Sequence, residues 1–568
     1  MSFMEPGNTT DQRPSGLPRG SPPPGGLRRL AAHPAVRAGV ALALLVLIVY
    51  VPTIGWGLPA TASWSQDSIA GVRTLGAVEE WPRQWHGRYP PLHYFILHTV
   101  YKPVLRYWDS TGARQVDPQT GTVQLRPPHA PRIGLLLLIA RWVSVLMAWA
   151  AGMAVWATTR RLVQHDTAAL VAAAALLSAP GFAYFGQLGN VDVPSICWFA
   201  WSMYFYVRSV RTRALADAVG LGLLGSLAVS TKDAVAGMFP GMALALLIWD
   251  FRHHHADQRW SRALVRAVAQ WRWAAGAAAF VLPYLFLNGV FFDAGPYVTR
   301  MEYWLGVTPD TQHARQYRWP NQGWLLLATG WHGAAAVGWP LLAAMLAACV
   351  YAFRRYRALT WTLLLPAVSY YAIVIAPLHF VYERFLFPVF VPGSILLGIA
   401  AVEWWRGRWP TWVRTALVSV ALLSLGYTVS LKLEMLTDSR YAAERWFQRN
   451  VEPTASVGAS SKPEYLPRLP ELGYATYLLH LEQATFGVPQ PECLVLTSYD
   501  YEDYDPVQRA CMDELIKGRL GYEVVATFRG RFLGTGSFWL SVAGWGTPSL
   551  GKVSPTLIVL RRGEEPGG

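Results

Sequence analysis

Long apolar runs recur along this chain between residue 38 and about residue 432, and they restrict its fold more than any other feature. Each run is about 20 residues long, the length at which a helix crosses the apolar core of a bilayer. Inside a bilayer, the backbone N–H and C=O groups of a run can be satisfied only within the segment, so the runs are expected to be helical. The composition agrees, because hydrophobic residues make up 53% of the chain and charged residues only 15%. The sequence therefore predicts a mainly α fold, a polytopic membrane helical bundle.

We predict about eleven transmembrane helices from these runs. They cover approximately residues 38–58, 133–158, 167–186, 191–207, 214–231, 234–250, 273–292, 330–352, 358–376, 385–402 and 412–432. The arginines between them predict the orientation. If the N-terminus is cytoplasmic, every short cytoplasmic connection carries arginine, as the positive-inside rule requires. We therefore expect a cytoplasmic N-terminus and an outer C-terminus.

The formal net charge of +14 raises the question of nucleic-acid binding. A nucleic-acid surface needs its basic residues on one continuous face. Here the arginines occur in short bursts between apolar runs. The partner that this pattern predicts is the lipid bilayer, not a nucleic acid.

Three regions follow from the composition. Residues 1–37 are rich in Pro, Gly and Arg, which predicts a disordered cytoplasmic tail. Residues 38–437 form the predicted transmembrane domain, with a large first outer loop at 59–132. Residues 438–568 are polar, and their patterns predict a small extracytoplasmic α/β domain. Its predicted elements are helices Arg440–Asn450 and Pro506–Lys517 and strands Cys493–Thr497, Tyr522–Phe528 and Thr556–Leu560.

Four cysteines are too few for a disulfide scaffold. Cys197 and Cys349 lie in apolar spans, where a cysteine behaves as a small packing residue. Cys493 and Cys511 lie in the polar C-terminal region. Whether these two form a disulfide stays open at this point.

The first outer loop carries several candidate site residues. Asp67 follows the first span closely, within Trp-Ser-Gln-Asp-Ser, and Arg88, Tyr89 and His93 lie in the segment Arg-Tyr-Pro-Pro-Leu-His-Tyr-Phe. The two prolines restrict the backbone there and orient the neighbouring side chains. The alternative is an interfacial belt, where Trp, Tyr and Arg are common.

Two further outer connections carry ionisable residues. Asp192 lies at the start of an apolar helix, where an acidic residue also complements the helix dipole. Lys232 and Asp233 lie between two apolar spans. Ionisable residues at membrane depth are costly and are functional candidates for that reason. The alternative is a Lys232–Asp233 pair that neutralises itself in a tight hairpin.

A final candidate segment precedes the tenth span. Glu383 and Arg384 lie there among aromatic residues, and a guanidinium group matches phosphate oxygens well. The alternatives are an ion pair between these two residues or a cation–π anchor. In the predicted topology the candidates from all four segments reach one membrane surface, which favours a shared site.

The sequence contains no pattern typical of a nucleotide-binding loop or of a cofactor site. The run His253-His254-His255 lies in a basic cytoplasmic loop without companion acids or cysteines, which favours a solvated loop over a metal site. The acidic stretch from Asp500 to Asp505 lacks the glycine spacing of a calcium loop. We predict neither a metal nor a cofactor.

The order of these segments resembles the C-type membrane glycosyltransferases, in particular the branch of dolichyl-phosphate-mannose protein mannosyltransferases and bacterial aminoarabinose transferases. The resemblance covers about residues 38–460. It is carried by the acid after the first span, Pro90-Pro91-Leu92, Asn190-Val191-Asp192-Val193-Pro194, Thr231-Lys232-Asp233, the Arg384 segment and the stretch that begins Asp438-Ser439-Arg440. The mannosyltransferase branch usually has an acidic pair in the first loop, and here Ser68 follows Asp67. The subfamily and the sugar therefore stay open.

The resemblance implies a function. The donor is expected to be a sugar on a polyprenyl monophosphate, and the acceptor a hydroxyl group of a protein, lipid or glycan at the outer face of the inner or plasma membrane. Asp67 is expected to act as the catalytic base in an inverting transfer. Arg384, Lys232 and Arg88 are expected to bind the donor phosphate. Asp192, Asp233, His93, Tyr89 and Glu383 are further site candidates.

Two other classes of function are compatible with a membrane bundle. One is a transporter or flippase of lipid-linked oligosaccharides, although such proteins tend to show inverted halves and broken helices at the midplane. The other is a non-catalytic glycan-assembly protein that keeps the site geometry without turnover. The ionisable candidate residues are predicted to lie at one membrane surface, and this arrangement favours the transferase.

Overall fold

The computed structural model describes residues 33–65, 67–69, 74, 81, 89–116, 123–125, 127–255, 260–305, 322–378, 381–460, 463–478, 490–497, 506–530 and 549–563. The greater part of the predicted tail 1–37 lies outside these ranges.

The chain is mainly helical, as predicted. The helices are α1 (Pro34–Tyr50), α2 (Leu92–Ser110), α3 (His129–Val163), α4 (Asp166–Leu177), α5 (Pro180–Phe185), α6 (Asp192–Thr212), α7 (Leu215–Val229), α8 (Phe239–His255), α9 (Trp260–Val268), α10 (Trp271–Leu287), α11 (Gly295–Leu305), α12 (Gln322–Val337), α13 (Trp339–Arg355), α14 (Arg357–Tyr370), α15 (Phe387–Arg406), α16 (Thr411–Leu436), α17 (Ser439–Asn450) and α18 (Pro506–Ile516). Each of the eleven predicted spans coincides with one or two of these helices.

Not every one of these helices is long enough to cross a bilayer by itself. Among the described residues, six helices are long and apolar enough, or seven if a pair bent by 114° forms one span. That pair is α12 and α13, which are separated by Gly338 with a positive φ of 83°, a conformation that favours glycine. The chain is a membrane protein with several apolar helices, whereas the count of eleven and the orientation stay predictions.

Helix α1 shows how these segments meet both protein and lipid. It begins at Pro34, and the His33 side chain accepts a hydrogen bond from the Ala35 N–H (3.3 Å) at its N-terminus. One stripe of its side chains is buried against the bundle, and the opposite apolar side chains, such as Leu44 and Ile48, are exposed. An exposed apolar stripe on a helix is a surface that lipid covers.

Small residues allow other helices to approach closely. Gly222 on α7 lies against the Gly276 carbonyl on α10, so that a Cβ at residue 222 would overlap that oxygen. Gly398 on α15 packs in the same way against the backbone of α4 at Ala168. Close backbone approach of this kind is a main source of helix association in membranes.

The predicted small domain at the C-terminal end contains a sheet. Its strands are β3 (Ser456–Ala459), β4 (Ala475–Leu478), β5 (Cys493–Thr497), β6 (Tyr522–Phe528) and β7 (Leu557–Arg562), and a separate hairpin in the first loop pairs β1 (Arg114–Val116) with β2 (Val123–Leu125). The order in the sheet is β4-β3-β5-β7-β6. Strand β3 runs parallel to β4 and β5, and β7 runs antiparallel to β5 and β6. We refer to this sheet and its helices as the outer domain, after the side of the membrane that the sequence predicts for it.

The two faces of the sheet are covered by different helices. Cys493 and Val495 pack in one apolar cluster with α17 residues, and their neighbours Leu494 and Leu496 pack in another with α18 residues. This alternation is expected for side chains along a strand. Cys493 and Cys511 are both free thiols, because they belong to these two opposite clusters.

Candidate active site

An ion pair joins the first loop to the turn before α15. The Arg384 guanidinium donates to the Asp67 carboxylate, and the two side chains are 13% and 18% exposed. Arg384 lies in the 3₁₀ turn Glu383–Leu386, and its Cζ atom is 4.7 Å from the centre of the Tyr382 ring. The cation–π contact considered from the sequence is therefore present, together with the ion pair.

A second ion pair joins the start of α6 to the hairpin between α7 and α8. The Lys232 ammonium donates to the Asp192 carboxylate, and both side chains are more than nine-tenths buried. Asp192 begins α6, where its own N–H donates to the Asn190 side chain (3.2 Å). The positive end of the helix dipole favours a carboxylate at this position.

Both ion pairs meet at the Phe385 ring. Lys232 Nζ is 5.2 Å from the ring centre, and Arg384 Cζ is 5.9 Å from it. Asp67 also interacts electrostatically with Asp192, and Lys232 with Arg384. Asp67, Asp192, Lys232 and Arg384 thus form one group of side chains, which we call the four-residue cluster.

The ionisation of Asp67 depends on this environment. Burial opposes a charged carboxylate and raises the pKa of Asp67 above its ordinary value, whereas the Arg384 guanidinium beside it lowers the pKa. Burial is the larger of the two effects. A carboxyl group with a raised pKa is a stronger base than an ordinary one.

The segment from Tyr89 to Leu92 in the first loop also lies next to the four-residue cluster. Tyr89 interacts electrostatically with Arg384, Asp192 and Asp67, and burial raises the pKa of its hydroxyl. The N–H of Leu92, at the start of α2, donates to the Ser230 carbonyl (3.2 Å). This bond holds the start of α2 against the hairpin that carries Lys232.

His93 lies one residue further on and is fully buried. Burial lowers the pKa of His93 to about 3, so it is neutral at physiological pH. Neither ring nitrogen has a hydrogen-bond partner within the described part of the chain. In this structure His93 is therefore a packing residue next to the site and not a cation in it.

Asp233 and Glu383 have partners outside the four-residue cluster. Asp233 pairs with Arg300 on α11 (3.2 Å) and accepts from the Tyr284 hydroxyl (3.3 Å). The hairpin pair Lys232–Asp233, considered as an alternative from the sequence, is thus not formed among the described residues. Glu383 pairs with His332 (3.5 Å) in place of Arg384. Arg88 lies outside the described residues.

The sequence did not assign a role to a buried ion pair at the junction with the outer domain. Asp438 binds the Arg440 guanidinium through both oxygens (2.9 and 2.7 Å), and both side chains are fully buried. Asp438 also accepts from Trp56 Nε1 (3.0 Å). The Arg440 Cζ atom is 4.2 Å from the Trp64 ring centre, three residues before Asp67. We call this group the junction pair; it holds the segment with Trp56 and Trp64 against the start of α17.

A second unassigned residue, Arg141 on α3, fixes the segment between α1 and the first loop. It is 1% exposed, and its guanidinium donates to the carbonyls of Ile54 (2.7 Å) and Trp56 (2.8 Å). No pattern in the sequence distinguishes this arginine from those of the predicted cytoplasmic connections, except that it lies inside an apolar run. That position is itself the signal, because a charge in such a run is costly.

Within the residues that the structure describes, no group of three or more His, Cys, Asp or Glu side chains is arranged to hold a metal ion. The prediction that the site uses no metal is not tested by this observation and stays a prediction.

One family model matches part of the chain. Residues 134–271 match the family model of dolichyl-phosphate-mannose-protein mannosyltransferases. The matched segment runs from α3 to the start of α10 and contains Asp192 and Lys232, half of the four-residue cluster. No match was found among the curated proteins.

Several solved structures are similar to this chain. ArnT from Cupriavidus metallidurans bound to undecaprenyl phosphate is 13% identical, with a TM-score of 0.47 over 92% of this chain and 97% of that one. The Archaeoglobus fulgidus oligosaccharyltransferase in complex with zinc and sulfate is 12% identical, with a TM-score of 0.45 over 87% of this chain and 72% of that one. The S. cerevisiae protein O-mannosyltransferase complex bound to its sugar donor is 15% identical, with a TM-score of 0.31 over 50% of this chain and 38% of that one.

The resemblance that the sequence predicted is confirmed by the family match, which also supports the broad functional class of glycosyltransferase. The protein is a membrane protein that resembles the C-type glycosyltransferases of the mannosyltransferase and aminoarabinose-transferase branch.

Proposed function

We propose that this protein is a membrane glycosyltransferase that moves a sugar from a polyprenyl-monophosphate donor to a hydroxyl acceptor at the outer membrane face, with inversion at the anomeric carbon. The observation that carries the proposal is the four-residue cluster, in which one partly exposed carboxylate, Asp67, lies beside two cations that share the Phe385 ring.

Asp67 is the proposed catalytic base. The acceptor oxygen attacks the anomeric carbon and forms the new glycosidic bond, while its proton passes to the Asp67 carboxylate. The bond between the anomeric carbon and the phosphate oxygen breaks, and its electron pair stays on that oxygen. Asp192, the other carboxylate of the cluster, is 3% exposed and bound to Lys232. Asp67, at 18%, is the carboxylate that a substrate can reach.

Arg384 and Lys232 are the proposed phosphate-binding residues, with Arg88 as a further candidate. Negative charge grows on the phosphate as the sugar leaves, and cations aimed at that charge stabilise the transition state. Arg384 donates to Asp67 in the structure. When a donor phosphate takes over the guanidinium, Asp67 loses the contact that lowers its pKa and becomes a stronger base. Donor binding would thus activate the base.

The test is sugar transfer in membrane vesicles that contain a polyprenyl-phosphate sugar as donor. Asp67→Asn keeps the size of the side chain but cannot accept the proton, so we expect the turnover rate to fall by about 10²–10⁴-fold. Arg384→Ala should lower the rate and raise the KM for the donor. The matched controls are Asp109→Asn and Arg114→Ala, which remove the members of a more exposed ion pair in the same loop (2.7 Å).

Near-wild-type transfer by a correctly inserted Asp67→Asn variant would contradict the assigned base. The assay also separates the other functional classes. A flippase would move the donor across the vesicle membrane without releasing polyprenyl monophosphate, and a non-catalytic assembly protein would bind the donor without turnover. Mass spectrometry of lipids extracted from the purified protein should detect a bound polyprenyl monophosphate or its glycoside.

A further inference from the structure

A short turn of the outer domain is inserted into the membrane bundle. Residues 549–554, which we call the docking turn, begin with the 3₁₀ turn Ser549–Lys552. Leu550 and Val553 are 2% and 0% exposed, and both belong to the apolar cluster formed by the transmembrane helices, not to the clusters of the outer domain. The docking turn therefore packs into the apolar core of the bundle, although it comes from the outer domain.

Both ends of the docking turn are fixed by hydrogen bonds. At one end the Ser549 N–H donates to the Glu383 carboxylate (2.6 Å). At the other end the Ser554 N–H donates to Asp438 of the junction pair (3.2 Å), and the Ser554 hydroxyl oxygen accepts from the Ser439 N–H (2.9 Å). Ser554 has a φ of 56°, a left-handed conformation that is unfavourable for a residue with a side chain. Such a conformation persists where surrounding contacts hold it.

These contacts bring the docking turn next to the four-residue cluster. Glu383, which binds its first residue, is adjacent in sequence to Arg384. Lys552, half-buried, carries the only ionisable side chain in the turn, and it interacts electrostatically with Asp67. The long side chain of a lysine between two fixed ends can move its ammonium while the backbone stays in place.

We propose that Lys552 is a third cation of the donor-phosphate site, supplied by the outer domain, so that the site is complete only when the docking turn is inserted. The inference rests on the proposed function. The ligand is a phosphate monoester on an apolar chain. Lys552 adds a mobile ammonium group to the planar guanidinium of Arg384 and the buried ammonium of Lys232. Glu383, by binding the turn, is a positioning residue.

The experiment measures the affinity of the full-length protein in nanodiscs for undecaprenyl monophosphate and for uncharged undecaprenol. Lys552→Ala should weaken binding of the monophosphate about tenfold, the effect of losing one charge-assisted hydrogen bond. Binding of undecaprenol should not change. Lys552→Arg should restore most of the affinity for the monophosphate. The control is Lys517→Ala, which removes an exposed lysine of the same domain.

A structural role for Lys552 alone would weaken binding of both lipids equally, and that result would overturn the inference, as would unchanged monophosphate affinity in Lys552→Ala. If the alanine variant does not fold, Lys552→Gln, which keeps most of the side-chain length without the charge, takes its place with the same expected loss. A wild-type protein that binds the monophosphate no better than undecaprenol would overturn the proposed function itself. The two failures are therefore distinguishable.

Discussion

As the proposed base, Asp67 has to be ionised to accept a proton, yet its surroundings oppose ionisation. Burial raises the pKa of this carboxyl, and Arg384 reduces the increase without cancelling it. An ordinary aspartate is fully ionised well below neutral pH and is a weak base there. The raised pKa of Asp67 lowers the fraction of the carboxylate that is ionised and makes the ionised form more basic. This combination suits a general base that works near neutral pH.

The raised pKa of Asp67 predicts that kcat/KM falls on the acidic side of its pH dependence. Below the pKa of Asp67 the base is protonated and inactive, so the rate falls as the pH falls. Because the pKa is raised, the fall should begin at a higher pH than an ordinary aspartate would give. The measurement is kcat/KM for the donor from pH 4 to 8 in vesicles. A flat profile down to about pH 4, the ordinary aspartate range, would contradict the raised pKa.

The pair of Asp192 and Lys232 allows stability to be separated from function. Both side chains are more than nine-tenths buried, so Lys232→Met leaves an uncompensated carboxylate and should cost about 3–5 kcal/mol in the free energy of unfolding. Adding Asp192→Asn removes that charge and should recover most of the loss. The double variant should still transfer sugar poorly, because the cation that we assign to the phosphate is missing.

Unfolding in detergent and transfer in vesicles are the two measurements for this pair. If the double variant recovered both stability and turnover, the pair would be structural and Lys232 would have no role at the phosphate. If it recovered neither, the two residues would have partners beyond each other.

At the scale of whole elements, the bundle depends on close backbone contact. Helices α7 and α10 approach so closely at Gly222 and Gly276 that a Cβ on Gly276 would lie 2.9 Å from the Ala218 carbonyl oxygen. Helix α7 ends at Val229, three residues before Lys232, and a shift of this helix would therefore move Lys232.

Gly222→Ala tests this contact. The added methyl group overlaps the Gly276 carbonyl, and overpacking of this kind should cost about 1–3 kcal/mol. The matched control is Gly426→Ala in α16, where no atom lies within 4 Å of the added Cβ. Thermal unfolding of both variants is the measurement. Equal melting temperatures would show that α7 and α10 separate easily.

At the scale of the whole molecule, the orientation in the membrane decides which side the site faces. Arginine-bearing connections predict a cytoplasmic N-terminus and an outer C-terminus. A chain without its four native cysteines, carrying either Ser15→Cys or Lys517→Cys, can be treated with a membrane-impermeant thiol reagent on intact cells. We expect labelling of residue 517 and protection of residue 15. The reverse pattern would place the outer domain and the site in the cytoplasm.

Sequence reasoning recovered the helices better than the contacts between them. Apolar runs are local, so the helices of the bundle and most elements of the outer domain could be predicted, although the short strands β3 and β4 were missed. Asp67 and Arg384 are 317 residues apart, and the sequence identified both without showing that they pair. It also offered Asp233 as the partner of Lys232, whereas the partner is Asp192, because helix packing decides which neighbours meet. Lys552 lies in the sequence Ser-Leu-Gly-Lys-Val, which has no pattern that indicates a site.

The junction pair has a consequence for how substrates enter. Asp438 ties together Trp56 from the segment after α1, Arg440 from α17 and Ser554 from the docking turn, all in a buried position. The domain is bound to the bundle at these points and again at Glu383. We therefore expect it to keep a fixed position and not to open and close over the site. Under the proposed function, the donor lipid and the acceptor enter and leave on the side of the site that this domain does not cover.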